Sequence, residues 1–251
     1  MKTLLLCAAA LVIAGVLLLA TLAGAREAPK VTAERVTVTT PDGVPLAGTW
    51  WAQGEKAPAV LLLHMLGHQR HDWDALSEQL AGAGYSVLAI DFRGHGESVK
   101  QGNRRLDYND FSARDWKALP GDVTAALNWM VAQPKVETEH LGIVGASIGA
   151  NSALLAAAGD KRVHSLVLLS PGLDYHGLKT ERAMEQYGTR SIFLLASDDD
   201  DYSASTVRRL GTLARGRNSV KVFAKAGHGT NMFAAEPPLP GLILGWLKEN
   251  L

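Results

Sequence analysis

His140-Leu141-Gly142-Ile143-Val144-Gly145-Ala146-Ser147-Ile148-Gly149-Ala150-Asn151-Ser152-Ala153-Leu154-Leu155-Ala156-Ala157-Ala158 changes character at its middle. Its first part is apolar and β-branched, as a buried strand requires, and its last part is rich in strong helix formers. Between them Gly145-Ala146-Ser147-Ile148-Gly149 fits G-x-S-x-G. A strand that runs through a sharp turn into a helix holds the turn's serine in strained backbone geometry. Large residues at 145 and 149 would collide with neighbouring backbone, and glycine occupies both positions. The helix behind aims its positive N-terminal end at Ser147, where an oxyanion would form. The pentapeptide taken alone also fits a glycine-flanked surface turn, since 25 of 251 residues are glycine. Its flanks and the rest of the chain decide between these readings.

Working outward, short apolar runs alternate with helical patterns. Residues 36–39 and 46–51 flank Pro41-Asp42-Gly43 and read as an antiparallel hairpin. Residues 59–63, 85–90, 163–169, 191–196 and 220–223 read as further strands, and the unbroken apolar character of most of them suits burial on both faces. Asp72 is placed to cap a helix carrying Trp73, Leu76 and Leu80, and Pro120 to start one carrying Val123, Leu127 and Met130. Helical spacing recurs over 203–213 and around Leu242, Ile243, Trp246 and Leu247. The expected fold class is α/β: a mostly parallel central sheet with helices on both faces and an N-terminal antiparallel hairpin.

Residues 3–25 are apolar and small after Lys2, and Ala23-Gly24-Ala25 offers a small-x-small cleavage site. This reads as a secretory signal peptide, and its length also suits an uncleaved membrane anchor. The expected organisation is therefore residues 1–25 as signal peptide or anchor and 26–251 as one exported domain, periplasmic or extracellular. Cys7, the single cysteine, lies in the leader, which leaves the domain without a disulfide or a thiol nucleophile. Lysine plus arginine equals aspartate plus glutamate, at 25 each, and the lysines and arginines are scattered rather than clustered as nucleic-acid binding would need.

A serine hydroxyl needs a base within hydrogen-bond reach and a carboxylate to orient that base. In this architecture reacting groups gather at the carboxyl ends of the strands. His228, in Ala226-Gly227-His228-Gly229-Thr230, follows the last strand and is the candidate base. The run Asp198-Asp199-Asp200-Asp201 follows the strand ending at Ala196 and supplies the candidate acid, with Asp174 as the second candidate. The run also raises a calcium loop, although such loops usually space their ligands with glycine turns. The oxyanion donors expected are the Ile148 N–H and, from the loop after residues 59–63, the Leu66 N–H with Met65 next. His64, His68 and His71 raise a zinc site, but Gly67 interrupts the helix that their spacing needs and no cysteine or close acid completes a set. His95 sits in a glycine-rich turn and reads as structural.

Together these residues resemble the α/β-hydrolase superfamily from about residue 33 to the C-terminus. His64-Met65-Leu66-Gly67 looks like its H-G-x-G oxyanion loop, with Met65 where glycine is common, and Asp91-Phe92-Arg93-Gly94-His95-Gly96-Glu97-Ser98 looks like its D-x-R-G-x-G-x-S turn. Asp200 aligns best with the acid and His228 with the base. The substrate-selecting cap of the family is reduced here to residues 171–190, with room for one short helix over 181–187, which resembles esterases and dienelactone-hydrolase-like members with an open cleft. A cysteine-dependent dienelactone hydrolase is excluded by Ser147. The resemblance implies a serine hydrolase acting on a small-molecule carboxylic ester with no cofactor. A peptidase or amidase with the same triad and a non-catalytic binding protein of the same fold are the rival readings.

Overall fold

The computed structural model describes residues 31–251, so the proposed leader, its cleavage site and Cys7 lie outside the described residues. Among the described residues no helix is long and apolar enough to cross a membrane. Eight strands form the main sheet: β1 (Ala33–Thr39), β2 (Pro45–Trp51), β3 (Ala57–Leu63), β4 (Ser86–Ile90), β5 (Val136–Ala146), β6 (Val163–Leu169), β7 (Ser191–Ser197) and β8 (Asn218–Phe223). Their spatial order is β1-β2-β4-β3-β5-β6-β7-β8. β1 and β2 are antiparallel to their neighbours, and every pairing from β4 to β8 is parallel. The expected hairpin, parallel sheet and α/β class are all present.

The helices longer than four residues are α1 (Asp74–Gly82), α2 (Ala113–Val131), α3 (Ile148–Gly159), α4 (Glu181–Tyr187), α5 (Asp201–Leu213) and α6 (Leu239–Asn250). Successive strand residues face opposite sides, and each side of the sheet has its own core. Leu61 and Leu63 of β3 pack with Leu119, Val123 and Leu127 of α2 and Leu154 of α3. Val60 and Leu62 pack on the other side with Leu76 and Leu80 of α1 and Ile243 and Leu247 of α6. Burial on both faces explains why β3 and β6 show no polar alternation.

Two helix starts differ from expectation. α2 begins at Ala113, because Ser112 and Asp115 form a reciprocal capping box ahead of it, and Pro120 lies in the helix interior. There the proline lacks the N–H that would bond the carbonyl one turn back, and its ring crowds that same carbonyl. Asp72 does not cap α1. It sits in a short 3-10 turn (Arg70–Trp73), and its carboxylate accepts from Thr230 Oγ1 at 2.9 Å and meets His68 Nδ1 at 2.6 Å.

Strand register sets the stage for the site. Gly145 on β5 aligns with Leu63 on β3, Ala146 with Leu169 on β6, Leu169 with Leu195 on β7, and Ser197 with Phe223 on β8. The carboxyl ends of five strands therefore finish along one rim, and the segments carrying Leu66, Ser147, Asp200 and His228 all leave from it.

Candidate active site

Ser147 adopts φ +53° and ψ −118°, outside the regions open to most side chains, between β5 and α3. The turn is possible because both flanking positions are glycine. A Cβ on Gly145 would stand 2.6 Å from the Gly149 carbonyl oxygen, and one on Gly149 would stand 2.6 Å from the carbonyl oxygens of Leu63 and His64. The Ser147 N–H donates to the Leu169 carbonyl at 2.8 Å, which fixes the turn against β6.

Ser147 Oγ lies 2.7 Å from His228 Nε2, and His228 Nδ1 lies 2.6 Å from Asp200 Oδ2. An ionised carboxylate only accepts, so Nδ1 carries the ring proton and Nε2 is left to accept the Ser147 hydroxyl. Asp200 is also the N-cap of α5, and its Oδ1 accepts the Ser203 N–H at 3.4 Å. Burial pushes the Asp200 carboxyl upward, but hydrogen bonds from Ser203 and His228 outweigh it and hold the group below the ordinary carboxylate range.

The other candidate acids have separate tasks. Asp198 pairs with Arg208 at 2.7 Å. Asp199 accepts from Ser197 Oγ and, at 3.1 Å, from the Gly227 N–H, so it shapes the loop that carries His228. Asp201 is exposed in the first turn of α5. Asp174 accepts the Gly177 N–H at 2.7 Å within its own hairpin. Local composition does not separate four consecutive aspartates; the start of α5 does.

The two proposed oxyanion donors also sit on this rim. Among the described residues neither the Ile148 N–H nor the Leu66 N–H has an intramolecular acceptor, as a site for a transient oxyanion requires. Met65, the departure from the family pattern, is buried, and its thioether lies against Gly229. Its side chain thus packs against the loop of His228, while Leu66 is 36% exposed at the rim.

His64 holds this oxyanion-side loop in place. Its Nε2 accepts the Phe92 N–H at 3.0 Å, which leaves Nδ1 as the protonated nitrogen facing the Met65 carbonyl at 2.7 Å. Complete burial pushes its pKa down to about 3. His68 is paired with Asp72 and His71 with Asp74, so the three histidines that raised a zinc site have three different partners. The 91–98 turn is scaffold. Asp91 accepts the Arg70 N–H at 2.7 Å, the Arg70 guanidinium and the Glu97 N–H at 2.9 Å. A side chain on Gly96 would overlap the Asp91 carboxylate. His95 is buried with its ring stacked on Tyr108, 4.3 Å between centroids.

Three positions that the sequence reading did not single out also shape the rim. Ser170, at φ +48°, accepts the Gly229 N–H on its Oγ at 2.9 Å and so props the loop beside His228. Asn151 of α3 donates to the carbonyls of Gly172 and Leu178 and accepts the Gly172 N–H, tying down the segment after β6. Tyr175, in a two-residue-stranded hairpin (174–175 with 178–179), presents its ring edge-on to His228 at 6.4 Å between centroids. The available signals were faint: a Ser-Pro-Gly after a strand, and a Gly177 turn.

A family model described as "Serine aminopeptidase, S33" matches residues 54–228, which takes in the oxyanion-side loop, the Ser147 turn, Asp200 and His228. The quorum-quenching protein AidA of Acinetobacter baumannii is 29% identical over 143 residues, which is 57% of this chain and 44% of that protein, so the match spans less than half of the relative's length. A dienelactone hydrolase from Anabaena variabilis superposes with a TM-score of 0.69 at 21% identity over 88% of this chain and 99% of its own. The esterase Pf2001 of Pyrococcus furiosus superposes with a TM-score of 0.70 at 19% identity over 88% and 93%. At these identities the structural likeness shows the fold, the α/β-hydrolase fold.

Proposed function

This chain belongs to the serine aminopeptidase S33 family of α/β hydrolases, and on that footing we propose that it is a serine hydrolase that cleaves carboxylic esters through an acyl-enzyme intermediate. The observation that carries the proposal is the unbroken hydrogen-bonded line from Ser147 Oγ through the His228 imidazole to Asp200, at 2.7 and 2.6 Å. In this reading His228 Nε2 takes the Ser147 proton as Oγ bonds to the acyl carbon. The negative charge that forms on the carbonyl oxygen is met by the Ile148 and Leu66 amides and by the N-terminal end of α3. The protonated imidazole gives its proton to the departing alkoxide and Asp200 stabilises it meanwhile. Water, deprotonated by His228, then attacks the acyl carbon; the Ser147–acyl bond breaks, and Oγ regains its proton from the imidazole.

Esters are preferred in this proposal because the segment between β6 and β7 holds only α4 and one short hairpin. Such a segment leaves the rim open, and the His228 side chain is 37% exposed. The description of the matching family supports a second reading, cleavage of aminoacyl amides by the same groups. Ser147→Ala tests the core of the proposal: p-nitrophenyl acetate and butyrate turnover and fluorophosphonate labelling at Ser147 are both expected to vanish while the fold persists. Unchanged turnover in the variant overturns it. A panel of short esters and aminoacyl amides separates the two readings, since an amidase keeps its activity on the amides.

A further inference from the structure

We propose that Asp72 is a positioning residue for this reaction: its carboxylate joins the oxyanion-side loop to the His228 loop and fixes the Leu66 amide relative to the imidazole. The inference rests on Ser147 being the nucleophile and on the Leu66 N–H being an oxyanion donor. One oxygen of Asp72, Oδ2, lies 2.6 Å from His68 Nδ1 and accepts the Thr230 hydroxyl at 2.9 Å. A carboxylate only accepts, so His68 Nδ1 carries the ring proton and both partners donate. His68 belongs to the loop after β3, and Thr230 follows His228 by two residues. Asp72 and Thr230 are 158 positions apart in the chain. Among the described residues the carboxylate has no other hydrogen-bond partner, and it caps no helix.

Each end of this bridge runs into a part of the site. On the β3 side the His68 N–H donates to the Met65 carbonyl at 3.2 Å, and the Asp72 N–H donates to the Gln69 carbonyl at 3.1 Å. Residues 65–72 therefore form two successive turns, and Leu66 lies inside the first. That turn is held at its last residue, His68, by Asp72. On the other side Thr230 is buried in a short 3-10 turn (Gly229–Asn231) that starts directly from His228. Two further contacts join the same segments. The Met65 thioether lies against Gly229, and the Trp73 ring meets Phe233 edge-on at 5.7 Å between centroids. Apolar contacts of this kind hold segments together but are not directional. The two hydrogen bonds to Asp72 are directional, so they set how the segments align.

The two oxyanion amides differ in what holds them. Ile148 follows Ser147 in the chain, so its N–H stays with the nucleophile. Leu66 comes from a separate loop and needs a tie to the rest of the site. An oxyanion donor acts on charge that develops only as the acyl carbon becomes tetrahedral, so its placement counts in the transition state and little in the bound substrate. A misplacement of about 1 Å can cost on the order of a hundredfold in rate. Loss of the Asp72 bridge therefore acts on kcat more than on KM.

Thr230→Val in the full chain keeps the shape of the side chain, removes the donor and leaves the His68–Asp72 pair in place. The expected result is a fall of about tenfold in kcat on p-nitrophenyl butyrate, with KM within about twofold. Affinity for an alkylboronic acid, whose tetrahedral adduct on Ser147 places an oxygen at the oxyanion position, should fall by a similar factor. Thr230→Ser, which restores the hydroxyl, should recover most of both. Asp72→Ala is expected to lose at least as much as Thr230→Val, and the double variant no more than Asp72→Ala alone, since both changes break one bond. Asp74→Asn, which breaks the exposed His71 pair on the same segment, should keep kcat. Wild-type kcat and boronic acid affinity in Thr230→Val overturn the inference. So do an equal loss in Thr230→Ser, additive losses in the double variant, or a loss that tracks a lowered thermal midpoint. If a fluorophosphonate does not label the wild-type chain at Ser147, the reading of the site fails and the role of Asp72 fails with it. Labelling of the wild type at Ser147 together with unchanged kinetics in Thr230→Val sinks the aspartate alone.

Discussion

Asp200 Oδ2 stands 2.6 Å from His228 Nδ1 while the other oxygen of the same carboxylate accepts the Ser203 N–H at 3.4 Å. One side chain thus starts a helix and fixes an imidazole tautomer. Asparagine caps helices as well as aspartate does, so Asp200→Asn separates the two tasks. Its thermal midpoint should stay near that of the wild type while kcat for ester hydrolysis falls by about a thousandfold or more. Asp198→Asn and Asp199→Asn are expected to keep kcat within about threefold, because neither carboxylate touches the imidazole. Steady-state kinetics on the three variants decides the matter, and an Asp199→Asn loss as large as that of Asp200→Asn would contradict the assignment.

The glycines of the serine turn differ sharply from others in the chain. A Cβ on Gly149 meets two carbonyl oxygens at 2.6 Å, those of Leu63 at the end of β3 and of His64 just after it. Backbone cannot give way as the tip of a side chain can. Gly149→Ala is expected to lose about 2–4 kcal/mol of stability in urea unfolding and to lose labelling at Ser147. Gly159, at the end of α3, has nothing within 4 Å of its Cβ position. Gly159→Ala should be neutral or gain up to about 1 kcal/mol.

Ser170 Oγ is the acceptor for the Gly229 N–H at 2.9 Å, and both residues are buried. Ser170→Ala leaves that donor without a partner, at a cost of about 1–3 kcal/mol. Because Gly229 adjoins His228, the loss should also appear in kcat, and Ser170→Thr, which restores a hydroxyl, should recover part of it. A Ser170→Ala variant with wild-type stability and kcat would show that the prop is dispensable.

His64 makes stability depend on pH with a definite sign. Its folded pKa is pushed down to about 3 from 6.5 by burial. Above pH 6.5 the ring is neutral in both the folded and the unfolded chain, and the full stability is present. As pH falls below 6.5 the unfolded chain takes up a proton that the folded chain refuses, so stability declines until the folded ring titrates as well. Between pH 7 and pH 5 this single group should remove about 2 kcal/mol. Urea unfolding at the two pH values measures the loss. His64→Gln is expected to be less stable at pH 7 and to show a correspondingly smaller change; an unaltered pH slope in that variant would count against the burial argument.

The Ser147 turn and the His228 loop were readable because each carries its steric requirement in its neighbours: glycine at 145 and 149, and glycine at 227 and 229. The sheet was readable for a similar reason, since strands buried on both faces cannot alternate polar and apolar residues. Pro120 misled because helix-start preferences are weak beside a full capping box, and Ser112 with Asp115 supplied one about two turns earlier. Asp72 looked like a cap from its position in the chain, yet its carboxylate is taken by His68 and by Thr230, which lies 158 residues away.

By itself the sequence determined the layered α/β class, the serine turn and the loop that brings the imidazole, since periodicity and glycine sterics act over a few residues. Only the tertiary structure decided which of five acids meets His228, that the Met65 thioether lies against Gly229 in that loop, and that Tyr175 meets the His228 ring edge-on. Those outcomes depend on register between strands and on where α5 begins, and they join residues 28 and 81 positions apart. Side chains of one type in one stretch have the same local chemistry, so only the packed sheet can tell them apart.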